Sequence, residues 1–207
     1  MTTAASRTLD ELLGDQGFRI VYRTRRPGRT RQVFPFGRLG LSPSALQLLS
    51  QAVPDGLYLH QIEGLTRTRG GADVAIVTPT ASGKSLVFQL AALEALAQDP
   101  HRRILALYPL KALAREQEAR WRQAFVAAGC DPEAVARIDG DTRTEERLQK
   151  IRRASVLLAT PDVVHAWLLP NLAEGIIWRF LKALRLVIVD EGHIYSGVVG
   201  SNGAMLF

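Results

Sequence analysis

The sequence predicts an α/β domain built on a mainly parallel sheet. Three observations carry this. Short β-rich apolar runs of four to six residues alternate with longer helical stretches, the pattern of consecutive βαβ units. The first of these runs, Asp73-Val74-Ala75-Ile76-Val77, leads into a small, turn-prone loop that closes on Gly83-Lys84-Ser85 and opens an apolar helix. The last, Leu186-Val187-Ile188-Val189, ends in the acids Asp190 and Glu191, at the strand end where open α/β sheets bind ligands.

Taken in order, residues 1–17 are a polar lead-in with Leu9, Leu12 and Leu13 hinting at one amphipathic turn, and Phe18–Tyr22 suits an edge strand. From Arg23 to Arg38 the prolines and glycines describe an extended arm. Between Arg19 and Arg38 stand seven arginines and no acid, with Phe18, Tyr22, Phe34 and Phe36 interleaved. That mixture suits phosphate contact and base stacking, and it equally suits a solvated arm. We place a basic arm at 1–42 and the globular domain at 43–207.

Ser42 before Pro43 is an N-cap with proline in the first turn. That helix should run to about Gln51. Pro54-Asp55-Gly56 turns the chain, a second helix passes through Gln61 to about Arg67, and Arg69-Gly70-Gly71 turns it again. Strand and helix then alternate: strand 73–78, helix 83–98, strand 103–108, helix 111–128, strand 135–138, helix 143–151, strand 155–159, helix 161–168, helix 174–184 and strand 185–190. Trp121 and Phe125, four apart on one helix, are expected in the core. The charges of helices 111–128 and 143–151 are expected on solvated faces.

The chain has 207 residues, 47% apolar and 22% charged, with a net charge of +6. This composition is that of a globular domain with a proper core. No apolar run approaches the ~20 residues of a membrane span, and the N-terminus has no secretory apolar segment. The lone Cys130 leaves no internal disulfide and no multi-cysteine zinc site. A cytoplasmic location is expected.

The loop Thr78-Pro79-Thr80-Ala81-Ser82-Gly83-Lys84-Ser85 carries the chemistry. Backbone N–H groups and a helix N-terminus can wrap a triphosphate. The Lys84 ammonium can reach the β- and γ-phosphates, and the Ser85 hydroxyl can ligate Mg²⁺. Thr78 stands where the strict pattern has glycine. Asp190 would be the second Mg²⁺ ligand, direct or through water. Glu191 is the candidate base for the attacking water. Tyr108-Pro109-Leu110-Lys111 and Thr160-Pro161-Asp162 each end a strand and start a helix. Two such helix starts on one sheet edge can grip a sugar–phosphate backbone, though plain capping would produce the same residues.

TPTASGKS, then YPLKALAREQ, then DEGH resembles the first motor domain of superfamily-2 helicases of the DExH/DEAD-box type, over about residues 40 to 207. The resemblance implies a RecA-like P-loop NTPase domain, truncated after the DEGH motif, with ATP and Mg²⁺ as cofactors. Leu57-Tyr58-Leu59-His60-Gln61 looks like the glutamine motif, so Gln61 would read the adenine edge. Lys111, Pro109, Thr160, Pro161 and Asp162 would contact nucleic acid, as would Gly140 in the Gly140-Asp141-Thr142 element. His193 would couple nucleotide state to neighbouring elements. Tyr195-Ser196-Gly197-Val198-Val199-Gly200-Ser201 resembles the tail motif of MrfA-like bacterial DNA repair helicases, with Ser196 where they carry arginine.

These readings lead to an ATP-dependent DNA helicase or translocase, represented by its N-terminal ATP-binding motor domain. Single-stranded or partly duplex DNA is the expected partner. Seventeen residues follow Asp190, so the domain reads as incomplete at its C-terminus. A second RecA-like domain would be required for full activity, and this chain alone should bind ATP and nucleic acid with little hydrolysis. The alternative is a non-catalytic nucleotide- or nucleic-acid-binding module. An unrelated phosphate-loop kinase would leave the TPD and PLKAL elements without a role.

Overall fold

The computed structural model describes residues 32–78 and 82–194, which fall within one compact unit. The lead-in, the Phe18–Tyr22 strand, most of the arginine arm, loop residues Pro79, Thr80 and Ala81, and the tail from Tyr195 lie outside the described residues.

Strand β1 (Val33–Phe34) pairs antiparallel with β2 (Leu57–Tyr58). Between them Ser42 caps helix α1 (Pro43–Ala52), its hydroxyl accepting the Ala45 N–H at 3.3 Å. Helix α2 (Leu59–Arg69) follows β2 directly. Phe36, grouped by the sequence with the arm's stacking aromatics, instead packs partly buried against the core.

The main sheet has four parallel strands in the order β4-β5-β3-β6, namely β3 (Arg103–Leu107), β4 (Val135–Ile138), β5 (Val156–Ala159) and β6 (Leu184–Val189). Helix α3 (Lys84–Gln98) leads into β3, and α4 (Lys111–Ala127), α5 (Thr144–Arg153) and α7 (Gly175–Lys182) lie in the connections between successive strands. After β5 the expected helix 161–168 forms as one α-turn, α6 (Pro161–Val163), that widens into a π-type turn over Val164–Leu168.

Alternation along each strand divides the core into two layers. Ile104, Ala106, Val156 and Leu158 face Leu49, Leu90, Trp121 and Phe125 on one side. Leu105, Leu107, Leu157 and Ala159 face Leu168, Ile177 and Phe180 on the other. The Tyr108 side chain accepts a hydrogen bond from Trp121 Nε1 at 2.9 Å inside the first layer. Burial raises the Tyr108 phenol well above its ordinary range.

One expected strand is corrected. Residues 73–78 form no strand, and Val77 is 93% exposed. The segment runs opposite the outer edge of β6, but a cavity of about 680 Å³ separates Val74–Val77 from Leu186–Val189. Without a neighbour in reach, the N–H and C=O groups of 73–78 have no ladder to join. Val187 and Val189, 42% and 40% exposed, mark the matching open face of β6. The sequence pattern encodes burial on two sides that the described residues do not supply.

Candidate functional site

The phosphate loop is built around Gly83, the N-cap of α3, in left-handed conformation with φ +78°. The left-handed backbone there favours glycine, and a Cβ would also crowd the Gln61 amide. Lys84 Nζ donates to the Thr78 carbonyl at 2.9 Å, folding the lysine over the start of the loop. The Thr78 hydroxyl lies 2.6 Å from Ser82 Oγ in a hydrogen bond. The residue that departs from the strict glycine pattern therefore braces the loop across its span.

Helix α2 holds the other side. His60 Nε2 donates to the Ser82 carbonyl at 3.1 Å, which fixes the Nε2–H tautomer. Gln61 is 2% exposed. Its Oε1 accepts the Tyr58 N–H at 2.9 Å, and its Nε2 donates to the Gly83 carbonyl at 3.0 Å. The residue that the resemblance assigns to adenine thus ties the first turn of α2 to the glycine that starts α3.

The acids arrive from β6. Asp190 extends the ladder by one bond, its N–H donating to the Leu107 carbonyl at 3.0 Å. Asp190 Oδ1 then accepts the Glu191 N–H at 3.0 Å. Glu191 has φ 51°, a left-handed conformation that glycine normally takes. Its carboxylate lies 3.2 Å from His193 Nδ1. Burial raises the Asp190 carboxyl above the ordinary carboxylate range and the Glu191 charge adds to this, while the Glu191 N–H and the Lys84 ammonium offset part of it. Thr78, Lys84, Asp190, Glu191 and His193 all line the same cavity. Loop and acids, about 110 residues apart in sequence, meet across one cleft, as parallel topology requires. Ser85 follows Lys84 in the first turn of α3.

Among the described residues no group of three or more His, Cys, Asp or Glu side chains forms a metal cage. One hydroxyl and one carboxylate suit Mg²⁺, which takes few protein ligands and completes its shell with phosphate and water.

The sheet edge that carries the other motifs is assembled too. Lys111, the first residue of α4, extends over Gly140, and its Nζ lies 2.7 Å from Asp141 Oδ1. Pro109 and Pro161 are half-buried, and Asp162 is exposed. Thr160 is 4% exposed and caps α6 through its backbone. Sequence reasoning missed the residues that shape this edge. Arg147, read as surface, donates from Nε to the Thr142 carbonyl at 2.8 Å and from a terminal nitrogen to the Asp139 carbonyl at 3.1 Å. Its guanidinium also lies 4.9 Å from the centre of the Trp167 ring. Asp139, 1% exposed, pairs with Arg137 and accepts the Asp141 N–H at 3.0 Å. An acid directly after the apolar strand residue Ile138 was the one available signal.

Comparison with known proteins finds similarity to helicases. The family model for DEAD/DEAH box helicases matches residues 58–204. The ATP-dependent helicase HRQ1 of Saccharomyces cerevisiae is 40% identical over 157 residues, covering 73% of this chain and 14% of HRQ1. The uncharacterized ATP-dependent helicase YprA of Bacillus subtilis is 36% identical over 157 residues, covering 75% of this chain and 20% of YprA. The crystal structure of the DUF1998 helicase MrfA bound to DNA and AMPPNP superposes with a TM-score of 0.80 at 29% identity, covering 93% of this chain and 27% of MrfA. The chain therefore spans 14% to 27% of the length of these relatives.

Proposed function

The chain belongs to the DEAD/DEAH box helicase family, its parallel α/β fold is that of a RecA-like motor domain, and we propose that it is the ATP-binding half of an ATP-dependent DNA helicase or translocase motor. The observation that carries this reading is the cleft in which Lys84 and Thr78 face Asp190, Glu191 and His193.

The residues divide the work by chemistry. Ser82, Gly83 and the first turn of α3 present backbone N–H groups to phosphate oxygens. Lys84 exchanges its bond to the Thr78 carbonyl for the β- and γ-phosphates. Gln61 holds Gly83 in register, and with its second amide hydrogen it is the group nearest to an adenine-reading role. Ser85 and Asp190 would hold Mg²⁺, which when bound neutralises charge on the triphosphate. Glu191 accepts the proton of the attacking water, and His193, already paired with Glu191, links that acid to the next element. Nucleic acid lies along Pro109, Lys111, Gly140, Pro161 and Asp162, with Thr160 shaping the turn from beneath. The DNA named in the MrfA complex supports DNA as partner. Rapid turnover requires a second RecA-like domain to complete the cleft.

The test is ATP hydrolysis by the purified chain, with and without single-stranded DNA, beside Lys84→Ala. Mg²⁺-dependent ATP binding with little turnover, lost in the variant, supports the proposal. Turnover that persists in Lys84→Ala overturns it.

A further inference from the structure

The Lys111 ammonium is not free at the surface where the proposed function places phosphate. Its Nζ donates to Asp141 Oδ1 at 2.7 Å, with the lysine and aspartate side chains 51% and 68% exposed. The lysine lies tightly across Gly140, where a Cβ would stand 3.0 Å from Nζ and 3.3 Å from Cε. A side chain at 140 would require the ammonium to give by a few tenths of an ångström.

Asp141 is presented to Lys111 by a pinned turn. The buried Asp139 carboxylate accepts the Asp141 N–H at 3.0 Å and the Thr142 hydroxyl at 3.2 Å. Thr142 Oγ1 accepts the Asp139 N–H at 3.1 Å. Arg147 closes the turn from the other side through the Asp139 and Thr142 carbonyls, and is itself held against Trp167. With so many internal bonds, the backbone that carries the Asp141 carboxylate is held by the fold. The hydrogen bond from Lys111 and its charge hold the Asp141 carboxyl below the usual carboxylate range, with Arg115 and Arg137 adding. Asp141 is therefore an anion at neutral pH.

We infer that Asp141 is an internal stand-in for a nucleic-acid phosphate, occupying Lys111 until a backbone phosphate displaces it. This rests on the reading that Lys111 meets phosphate. Binding then exchanges one ion pair for another, and the displaced carboxylate remains beside a polyanion. The contact is weakened by this competition, but only modestly, because an exposed ion pair is itself weak. Asp141 thereby tunes how firmly this edge holds the strand.

The experiment is fluorescence anisotropy of a labelled single-stranded oligonucleotide against the full chain. Variants are Asp141→Asn, Lys111→Ala, the double variant, and Glu116→Gln as a charge control. Glu116 sits on the same helix, paired with Arg120, and its neutralisation adds the same unit of charge. Asp141→Asn should tighten binding by about two- to fivefold, and the gain should shrink as salt rises. Lys111→Ala should weaken binding and lower the salt slope by roughly 0.7. The double variant should match Lys111→Ala alone, and Glu116→Gln should gain less than Asp141→Asn. The inference is overturned if Lys111→Ala weakens binding but Asp141→Asn changes nothing, or gains as much without Lys111. If Lys111→Ala leaves affinity unchanged, or the unaltered chain does not bind, the phosphate reading of Lys111 falls and the inference falls with it.

Discussion

Replacing Gln61 by alanine separates two roles that the sequence could not. In the structure the side-chain amide makes two hydrogen bonds, to the Tyr58 N–H and the Gly83 carbonyl, and is almost wholly buried. Truncation leaves a donor and an acceptor without partners. A buried unpaired group costs ~1–3 kcal/mol, but Tyr58 is half-buried and Gly83 exposed, so water replaces part of what is lost. The lower end applies, about 2 kcal/mol for the pair of bonds. For a domain of this size that lowers Tm by roughly 4–8 °C. Because Gly83 positions the start of α3, affinities for ATP and GTP should fall together. The assay is a thermal melt beside equilibrium binding of both nucleotides. An unchanged Tm with lost preference for ATP over GTP would refute the argument and return Gln61 to adenine reading alone.

Further outcomes follow from single contacts. Tyr108→Phe leaves the buried Trp121 N–H without its acceptor and should destabilise the domain by ~1–3 kcal/mol in urea titration; no loss would mean that another acceptor replaces it. Glu94 is 5% exposed, accepts the Ser42 N–H at 2.6 Å and pairs with Arg69, which in turn binds the Leu39 and Gly40 carbonyls. Glu94→Ala therefore releases the entry to α1, at about 2–4 kcal/mol for a partly buried pair broken on one side, read as a lower urea midpoint. Gly83→Ala meets both a left-handed φ and Gln61 Nε2 at 2.4 Å, so nucleotide binding should fall at least tenfold, the effect of ~1.4 kcal/mol, with a lowered Tm. Asp190 has a raised carboxyl pKa in the fold. Its contribution to stability is thus greatest below the unfolded carboxylate pKa and is lost as pH rises through the folded value. At neutral pH Asp190→Asn should raise Tm while removing Mg²⁺-dependent nucleotide binding, and a lowered Tm would show that the Lys84 charge outweighs burial.

The legible parts of the fold were those governed by local rules. The apolar runs 103–108, 135–138 and 155–159 became β3, β4 and β5 within a residue at each end, because short apolar runs buried along their length have few other solutions. Ser42-Pro43 and Gly83-Lys84 started helices where capping chemistry places them. The segment 73–78 failed for the complementary reason. Its pattern reports the burial it is suited to, and a strand also needs a neighbour within hydrogen-bonding distance. Long-range polar contacts were invisible. Arg147 looks like any charge on a helix rich in Lys and Arg until Asp139, Thr142 and Trp167 surround it. Glu94 lies in an apolar helix with nothing nearby in sequence to announce Arg69. For Gln61 the motif pointed to the residue, and only the coordinates show that its amide also bonds Tyr58 and Gly83 within the chain.

The most direct measurement is calorimetric titration of ATP with and without Mg²⁺ into the purified chain and into Lys84→Ala, each checked by its melting profile. The account predicts saturable, Mg²⁺-dependent binding at one site, abolished in a variant that still melts cooperatively. Undiminished binding in folded Lys84→Ala, or no binding by the unaltered chain, would contradict it.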